Sequence, residues 1–335
     1  MGPVTNTMNL KPTIVITSIN PPTEAVRLFS NMKEYDVVMI GDKKTPLGWE
    51  CGSIEYLSPE SQVKLPYTLI KHIPWNVPAR ANIGYLHAIA KGAPYIVQCD
   101  DDNIPNEYWD IPSFSGTFTT LSEALFVNIY TYFTKEFVWP RGFPLNRILE
   151  KSVVTTSQKY ARVGIWQHLA DKDTDVDALY RLTRDAHIFF DRKDPHVLAS
   201  NTVCPFNCQS TTFHKDVYPL LYLPSTISPR SSDIVRGLVA QPILWEYGYS
   251  LGFTSPTVRQ ERNPHNYLRD FDEEILIYRH SEDIFNVAKE SIVKGVSMSD
   301  NLLGVYKNLV AKSLIPKDEL IAVEAWITDI EMLQK

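Results

Sequence analysis

Four things are scarce in this 335-residue chain, and each scarcity closes off a class of function. There are only four cysteines, Cys51, Cys99, Cys204 and Cys208. The one close pair, C-x3-C, has no His or Cys companions at finger spacing, so a zinc module is poorly supported. Free thiols in a reducing compartment are the expectation. Positive charge is also short: 33 Lys and Arg against 39 Asp and Glu leave a formal net charge of −6. No basic stripe offers itself to nucleic acid or to an anionic membrane. No apolar run approaches the roughly 20 residues that span a bilayer. The opening MGPVTNTMNLKP lacks the apolar core of a signal peptide, which makes a soluble, cytoplasmic protein the expectation. Finally, neither G-x-x-x-x-G-K-[ST] nor G-x-G-x-x-G occurs, so no glycine-rich loop cradles a phosphate.

What is present is an ordinary globular composition, 44% hydrophobic and 21% charged, with length enough for a large core. TIVITSI reads as a buried strand, PPTEAVRLFSNMK as a helix that Thr23 caps, and YDVVMIG as a second strand. PARANIGYLHAIAKGA sets Ile83, Leu86 and Ala90 on one helical face, and PYIVQC is a third strand. Strands alternating with helices predict a parallel α/β sheet with right-handed crossovers. Ligands gather at the carboxyl ends of such strands, here Ser18–Asn20, Gly41–Lys44 and Asp100–Asn103. Further on, NCQSTTFH reads as a strand and SSDIVRGLVAQPILWEYG as a helix opening at Ser232/Asp233 and kinked by Pro242. From about residue 271 the apolar spacing is helical to the end, with no internal repeat anywhere. The expected division is a tail (1–12), a domain (13–270) split at 110/111, and a C-terminal helical region (271–335).

One stretch carries most of the chemistry: YIVQC runs straight into Asp100, Asp101 and Asp102. Three consecutive carboxylates repel one another, and a hard divalent cation is the simplest relief. Mg²⁺ and Mn²⁺ take one or two carboxylates and fill the remaining positions with water and phosphate oxygens. Alternation along an extended chain pairs Asp100 with Asp102 and turns Asp101 away into a supporting role. A solvated acidic turn is the plainer alternative. With no phosphate loop, the cation and side chains such as Lys71 or Arg80 must neutralise the phosphates. A metal-bridged diphosphate leaving group is the arrangement expected of transfer from a nucleotide sugar.

The order of these motifs resembles that of GT-A glycosyltransferases, in which an ARN-x-G helix precedes a strand ending in D-x-D. More closely, the chain is similar to STELLO-type glycosyltransferases. The likeness rests on VITSINPPTEAV, VVMIGDKKTP, YLSPESQ, ARANIGYLHAIAKGA, DDDNIP, DVDALYRLTR, SDIVRGLVAQPILWE and VRQERNPHNYLRDFDEE, across roughly residues 13–280. The resemblance implies a GT-A-like, Rossmann-type mixed sheet flanked by helices, with a C-terminal helical extension. It also implies transfer of a sugar from a UDP- or GDP-type donor to a carbohydrate or glycoconjugate acceptor, with Mn²⁺ or Mg²⁺ as cofactor.

Carried onto this sequence, the nucleotide's base and ribose fall to Thr17, Ser18, Asn20 and Asp42, although Asp42 also suits a turn. Arg80 and Asn82 open a helix on the same edge, Arg80 either as a ligand contact or as a structural ion pair. His265 stands where many GT-A folds supply a third metal ligand. An inverting transfer needs a carboxylate to take the acceptor's proton. Asp233 matches the usual position, with Arg236 one turn on to bind phosphate or orient it; stabilising the helix N-terminus is the alternative. Trp166, Asp175, Asp177, Asn207 and Gln209 fall in the region that grips donor sugar and acceptor, and Trp166 equally suits a core. Two rivals stand beside the transferase: a nucleotide-sugar mutase of the reversibly glycosylated polypeptide type, and a non-catalytic scaffold. The C-terminal helices offer faces for self-association.

Overall fold

The computed structural model describes residues 10–122, 125–150, 154–184, 186–262 and 266–334. These form strands β1 (Thr13–Thr17), β2 (Asp36–Ile40), β3 (Glu55–Leu57), β4 (Tyr95–Asp100), β5 (Asn103–Pro105), β6 (Ser115–Ser122), β7 (Thr155–Lys172), β8 (His196–Leu198), β9 (Ser210–His214) and β10 (Ser250–Gln260). The helices are α1 (Glu24–Phe29), α2 (Pro59–Gln62), α3 (Ala81–Ala90), α4 (Ala178–Thr183), α5 (Pro229–Glu246), α6 (Tyr267–Glu273), α7 (Ile275–Glu290), α8 (Met298–Ala311) and α9 (Glu319–Leu333). All ten strands join one mixed sheet in the order β3-β2-β1-β4-β9-β7-β6-β8-β10-β5.

The first four strands are parallel, and β9 lies antiparallel against β4. Both faces of β1 and β2 are covered, which is why they read as unbroken apolar runs. Period-two alternation splits their side chains: Val15, Val38 and Ile40 enter the larger core, while Ile14, Ile16, Val37 and Met39 enter a second core with Val26 and Phe29 of α1. The larger core lies between the sheet and helices α3, α5 and α7–α9. Helix α3 approaches the sheet so closely that a Cβ on Gly84 would meet Val15 Cγ1 at 2.6 Å and Ile40 Cγ1 at 2.8 Å. The glycine of ARANIG is therefore a packing requirement.

Chain order fixes where a ligand would sit. From β1 the chain steps outward to β2 and β3, then returns to place β4 on the other side of β1. That reversal opens a crevice at the carboxyl ends of β1 and β4. Thr17 and Asp100, the last residues of the two strands, face each other in register across it.

Two expectations about local structure change. Strand β4 stops at Asp100, and Asp101 and Asp102 form a turn, so strand alternation does not govern the triplet. Helix α5 begins earlier than expected, with Pro229 in its first turn and Ser228 as cap, its hydroxyl accepting from Arg230 N–H. Asp233 is consequently buried inside the helix and does not sit at its mouth. The helix continues through Pro242 to Glu246.

The C-terminal helices pack inward and hold loops through buried acids. Glu319 accepts from the backbone of Ser225 and Thr226 and from the Tyr222 hydroxyl, and Asp329 accepts from Thr68 and Leu69 N–H. Among the described residues, no helix is long and apolar enough to cross a membrane.

Candidate active site

Two adjoining cavities occupy the crevice. The first, about 210 Å³, is lined by the turns after β1 and β2 and the lead-in to α3, including Ser18, Asn20, Asp42, Asn76, Arg80 and Asp101. The second, about 260 Å³, is lined by Asp100, Asp101 and Asp102 on one side and by Arg141, Asp175, Asn207, Gln209, Arg230, Asp233 and Arg262 on the other. Thr17, Pro78 and Asp101 belong to both.

Asp101 joins the two loops that meet here. Its Oδ2 accepts from the Ser18 hydroxyl and from Asn20 Nδ2 at 2.9 Å, and its carbonyl accepts from the Thr23 hydroxyl. The expectation that Asp101 faces away is thus corrected: it holds the β1 loop against the triplet. Asp42 closes the far wall, accepting from Lys43 N–H at 2.7 Å and Asn76 N–H at 2.6 Å. It is a turn residue and a cavity wall at once.

The other two aspartates are differently placed. The Asp100 side chain has no hydrogen-bond partner among the described residues, and Asp102 accepts only weakly from Gln260 Nε2, at 3.2 and 3.3 Å. No described Lys, Arg or His forms an ion pair with any of the three. Burial, then the charges of Asp102 and Asp101, hold the Asp100 carboxyl well above the usual range. Burial, opposed by Gln260, pushes Asp102 up to about 6. The three arginines of this cavity are each tied to other acids, Arg141 to Asp175 and Asp233, Arg230 to Glu274 and Arg262 to Asp270. Among the described residues no three His, Cys, Asp or Glu gather as a complete metal cage. Two carboxylates with open positions fit Mg²⁺ or Mn²⁺ shared with a diphosphate and water. His265 lies outside the described residues.

Across the cavity the charges are already compensated. Arg141 donates to both oxygens of Asp233, Nη1 to Oδ1 at 2.9 Å and Nη2 to Oδ2 at 2.7 Å, and through Nε to Asp175 Oδ1 at 2.9 Å. Asp233 Oδ2 also accepts from Cys208 N–H at 3.2 Å. Burial raises the Asp233 carboxyl, but Arg141 outweighs it and leaves the group below the ordinary carboxylate range. Arg230 is tied to the fully buried Glu274 at 2.5 Å, and Arg262 pairs with Asp270 at 3.4 Å. Burial and the charges of Asp100 and Asp233 hold the Cys208 thiol far above its usual pKa, so it is no thiolate nucleophile.

Several sequence expectations are corrected by position. Lys71 is exposed and lines a separate hollow with Trp75. Arg80 walls the first cavity but pairs with no described aspartate: it donates to Gln62 Oε1 and Ile73 O and stacks on Trp75, 3.8 Å from the ring centroid. Burial brings its pKa down to about 10. Asn82 is wholly buried, its amide clasping Leu223 N–H and C=O at 2.8 Å each. Arg236 lies in the core, donating to Gln98 Oε1 at 2.8 Å, and does not reach the cavity. Trp166 is fully buried against Val163, Val197 and Phe118, a core residue rather than a sugar platform. Asp177 caps α4, accepting from Tyr180 N–H at 2.8 Å and Trp139 Nε1 at 2.6 Å. Asn207 and Gln209 do reach the second cavity, with Asn207 Oδ1 accepting from Gln209 N–H. Sequence reasoning passed over Arg141, Arg230, Gln260 and Arg262; the charge inside VWPRGFPL was the one signal for Arg141.

A mixed sheet that is parallel from β3 to β4, with an acidic turn at its switch point and helices on both faces, is the architecture of the GT-A-like class. Comparison with known proteins narrows this. The family model for STELLO glycosyltransferases matches residues 230–334. Over 273 residues the chain is 30% identical to "Probable glycosyltransferase STELLO2" of Arabidopsis thaliana, covering 74% of this chain and 35% of that protein. It is 29% identical to "Probable glycosyltransferase STELLO1" of the same plant, with the same coverage. The chain is thus similar to STELLO glycosyltransferases over most of its length, and it matches about a third of the length of these relatives.

Proposed function

We propose that this chain is a metal-dependent glycosyltransferase that moves a sugar from a nucleoside-diphosphate donor to an acceptor hydroxyl with inversion. The observation that carries the reading is the pair Asp100 and Asp102, which line one cavity at the switch point and form no ion pair among the described residues. They would hold Mn²⁺ or Mg²⁺, which supplies charge stabilisation to the departing diphosphate. Thr17, Ser18, Asn20 and Asp42 line the adjoining cavity and suit a nucleoside, whose hydroxyls and base edge find acceptors there. Asp175, Asn207 and Gln209 line the second cavity and suit sugar hydroxyls. Inversion asks for a carboxylate facing the acceptor, and two are available, Asp233 and Asp175, bridged by Arg141.

The test is release of nucleoside diphosphate from a panel of UDP- and GDP-sugars, with Mn²⁺ or with chelator, and with or without carbohydrate acceptors. Release that needs both metal and acceptor supports the transferase. Ring interconversion of the donor without acceptor decides for the mutase, a reading that draws on the three arginines lining the second cavity. A chain whose melting temperature no nucleotide sugar shifts, with or without Mn²⁺, is a scaffold.

A further inference from the structure

Resting on the transferase reading above, we propose that Asp175 is the carboxylate that takes the acceptor's proton, and that Asp233 acts through Arg141 as a positioning residue.

Five carboxylates line the second cavity, and their partners separate them. Asp100 and Asp102 face the diphosphate in the proposed function. Asp101 is occupied by Ser18 and Asn20. Asp233 has two donors on each oxygen: Arg141 Nη1 and Ile234 N–H on Oδ1, Arg141 Nη2 and Cys208 N–H on Oδ2. A carboxylate so fully solvated by the protein is a weak base, because each of those bonds is strained or lost when a proton arrives. Its geometry is that of a clamp on a guanidinium.

Asp175 is held as firmly but on one side only. Its carbonyl accepts from Arg141 N–H at 3.2 Å and from the Tyr130 hydroxyl at 3.0 Å, and its Oδ1 accepts from Arg141 Nε. Its Oδ2 is buried and, among the described residues, has no hydrogen-bond partner. With the residue only 7% exposed, an unmet carboxylate oxygen is costly. It is met when a ligand hydroxyl donates to it.

The step balances as follows. The acceptor's O–H proton passes to Asp175 Oδ2, and an oxygen lone pair forms the new bond to the anomeric carbon. The bond from that carbon to the β-phosphate oxygen breaks, and its electron pair leaves on the nucleoside diphosphate. Arg141 fixes Asp175 in direction, and Asp233 fixes Arg141.

The experiment compares Asp175→Asn with Asp233→Asn in the full chain, using UDP or GDP with Mn²⁺ as the binding probe and diphosphate release as the rate. For Asp175→Asn, kcat should fall by about 100-fold or more while nucleotide Kd stays within about threefold, the size expected of a lost general base. Formate added to Asp175→Ala should restore part of the rate, which a purely structural role would not allow; Asp233→Ala should gain nothing. Asp233→Asn should keep more activity than Asp175→Asn. Asp175→Asn turning over within about threefold of wild type, or formate rescue confined to Asp233→Ala, overturns the assignment. Should Asp175→Asn not fold, Asp175→Glu keeps the charge on Arg141 but displaces the carboxylate. A kcat fall of about tenfold or more at unchanged nucleotide Kd then supports the proposal, and a smaller change overturns it. A wild-type chain that binds nucleotide yet releases no diphosphate from any donor overturns the transferase reading itself, a result distinct from either variant's failure.

Discussion

The two walls of one cavity treat their carboxylates in opposite ways. Among the described residues Asp100 and Asp102 have no ion-pair partner, and their carboxyls are pushed up, Asp102 to about 6. Asp175 and Asp233, on the other wall, share Arg141, and Asp233 is held down. The same residue type thus has two energetic states in one cavity, set by whether the protein supplies the counter-charge. The compensated wall is finished as folded and suits positioning. On the proposed reading, the counter-charge of the first wall is a bound divalent cation.

The comparison breaks most readily at Arg141. Arg141→Met leaves two buried carboxylates unpaired and should cost about 3–5 kcal/mol in chemical denaturation. The triple variant with Asp175→Asn and Asp233→Asn should recover most of that loss; no recovery would mean that Arg141 acts by packing and not by charge. On the other wall, Asp102→Asn should cost little or no stability in chelator. It should weaken Mn²⁺-dependent nucleotide binding by about 100-fold or more, a loss of about 3 kcal/mol, read by calorimetry.

Acidification separates the walls by sign. Asp102 has a raised folded-state pKa, so its burden on stability is full above about pH 6 and fades as pH falls toward the ordinary carboxylate value. Asp233 has a lowered one, so its contribution is intact above the ordinary value and is lost only as pH falls below it. Metal-free protein should therefore melt higher at pH 5 than at pH 7.5, on the order of 2 °C, with Mn²⁺ or Asp102→Asn flattening the rise. A melting temperature that falls steadily with pH would contradict the contrast. The smallest effect belongs to the seam: Ser18→Ala removes one donor from Asp101 and should cost about 1 kcal/mol, with a modest loss of nucleotide affinity.

The sequence disclosed one wall better than the other, for a physical reason. Strand ends are local features: TIVITSI, VVMIGD and YIVQCDDD each name their own terminus, and parallel order brings those termini together. Strand β9, the Thr23 cap and the C-terminal helices were legible in the same way, whereas β6, β7 and β8 were not. The second wall joins residues far apart in sequence, Arg141 from an irregular stretch and Arg262 from a strand end, and nothing local announces their meeting. Roles failed where burial erased pattern. Residues 163–170 of β7 are buried on both faces, so alternation could not tell a core Trp166 from a ligand platform. Asn82 and Asp177 are polar residues whose partners are backbone groups and an indole, satisfactions that only the fold reveals. Arg236 sits one turn after Asp233, yet its guanidinium points to Gln98 in the core.

The central claim is that the cleft lacks one cation and takes a nucleoside diphosphate with it. Calorimetric titration of the full chain with UDP and with GDP, in Mn²⁺ and again in chelator, tests it directly. The account predicts saturable binding of at least one nucleotide in Mn²⁺, weakened about 100-fold or more by chelator or by Asp100→Asn. Equal affinity with and without metal, or metal-dependent binding that survives loss of both Asp100 and Asp102, would contradict it.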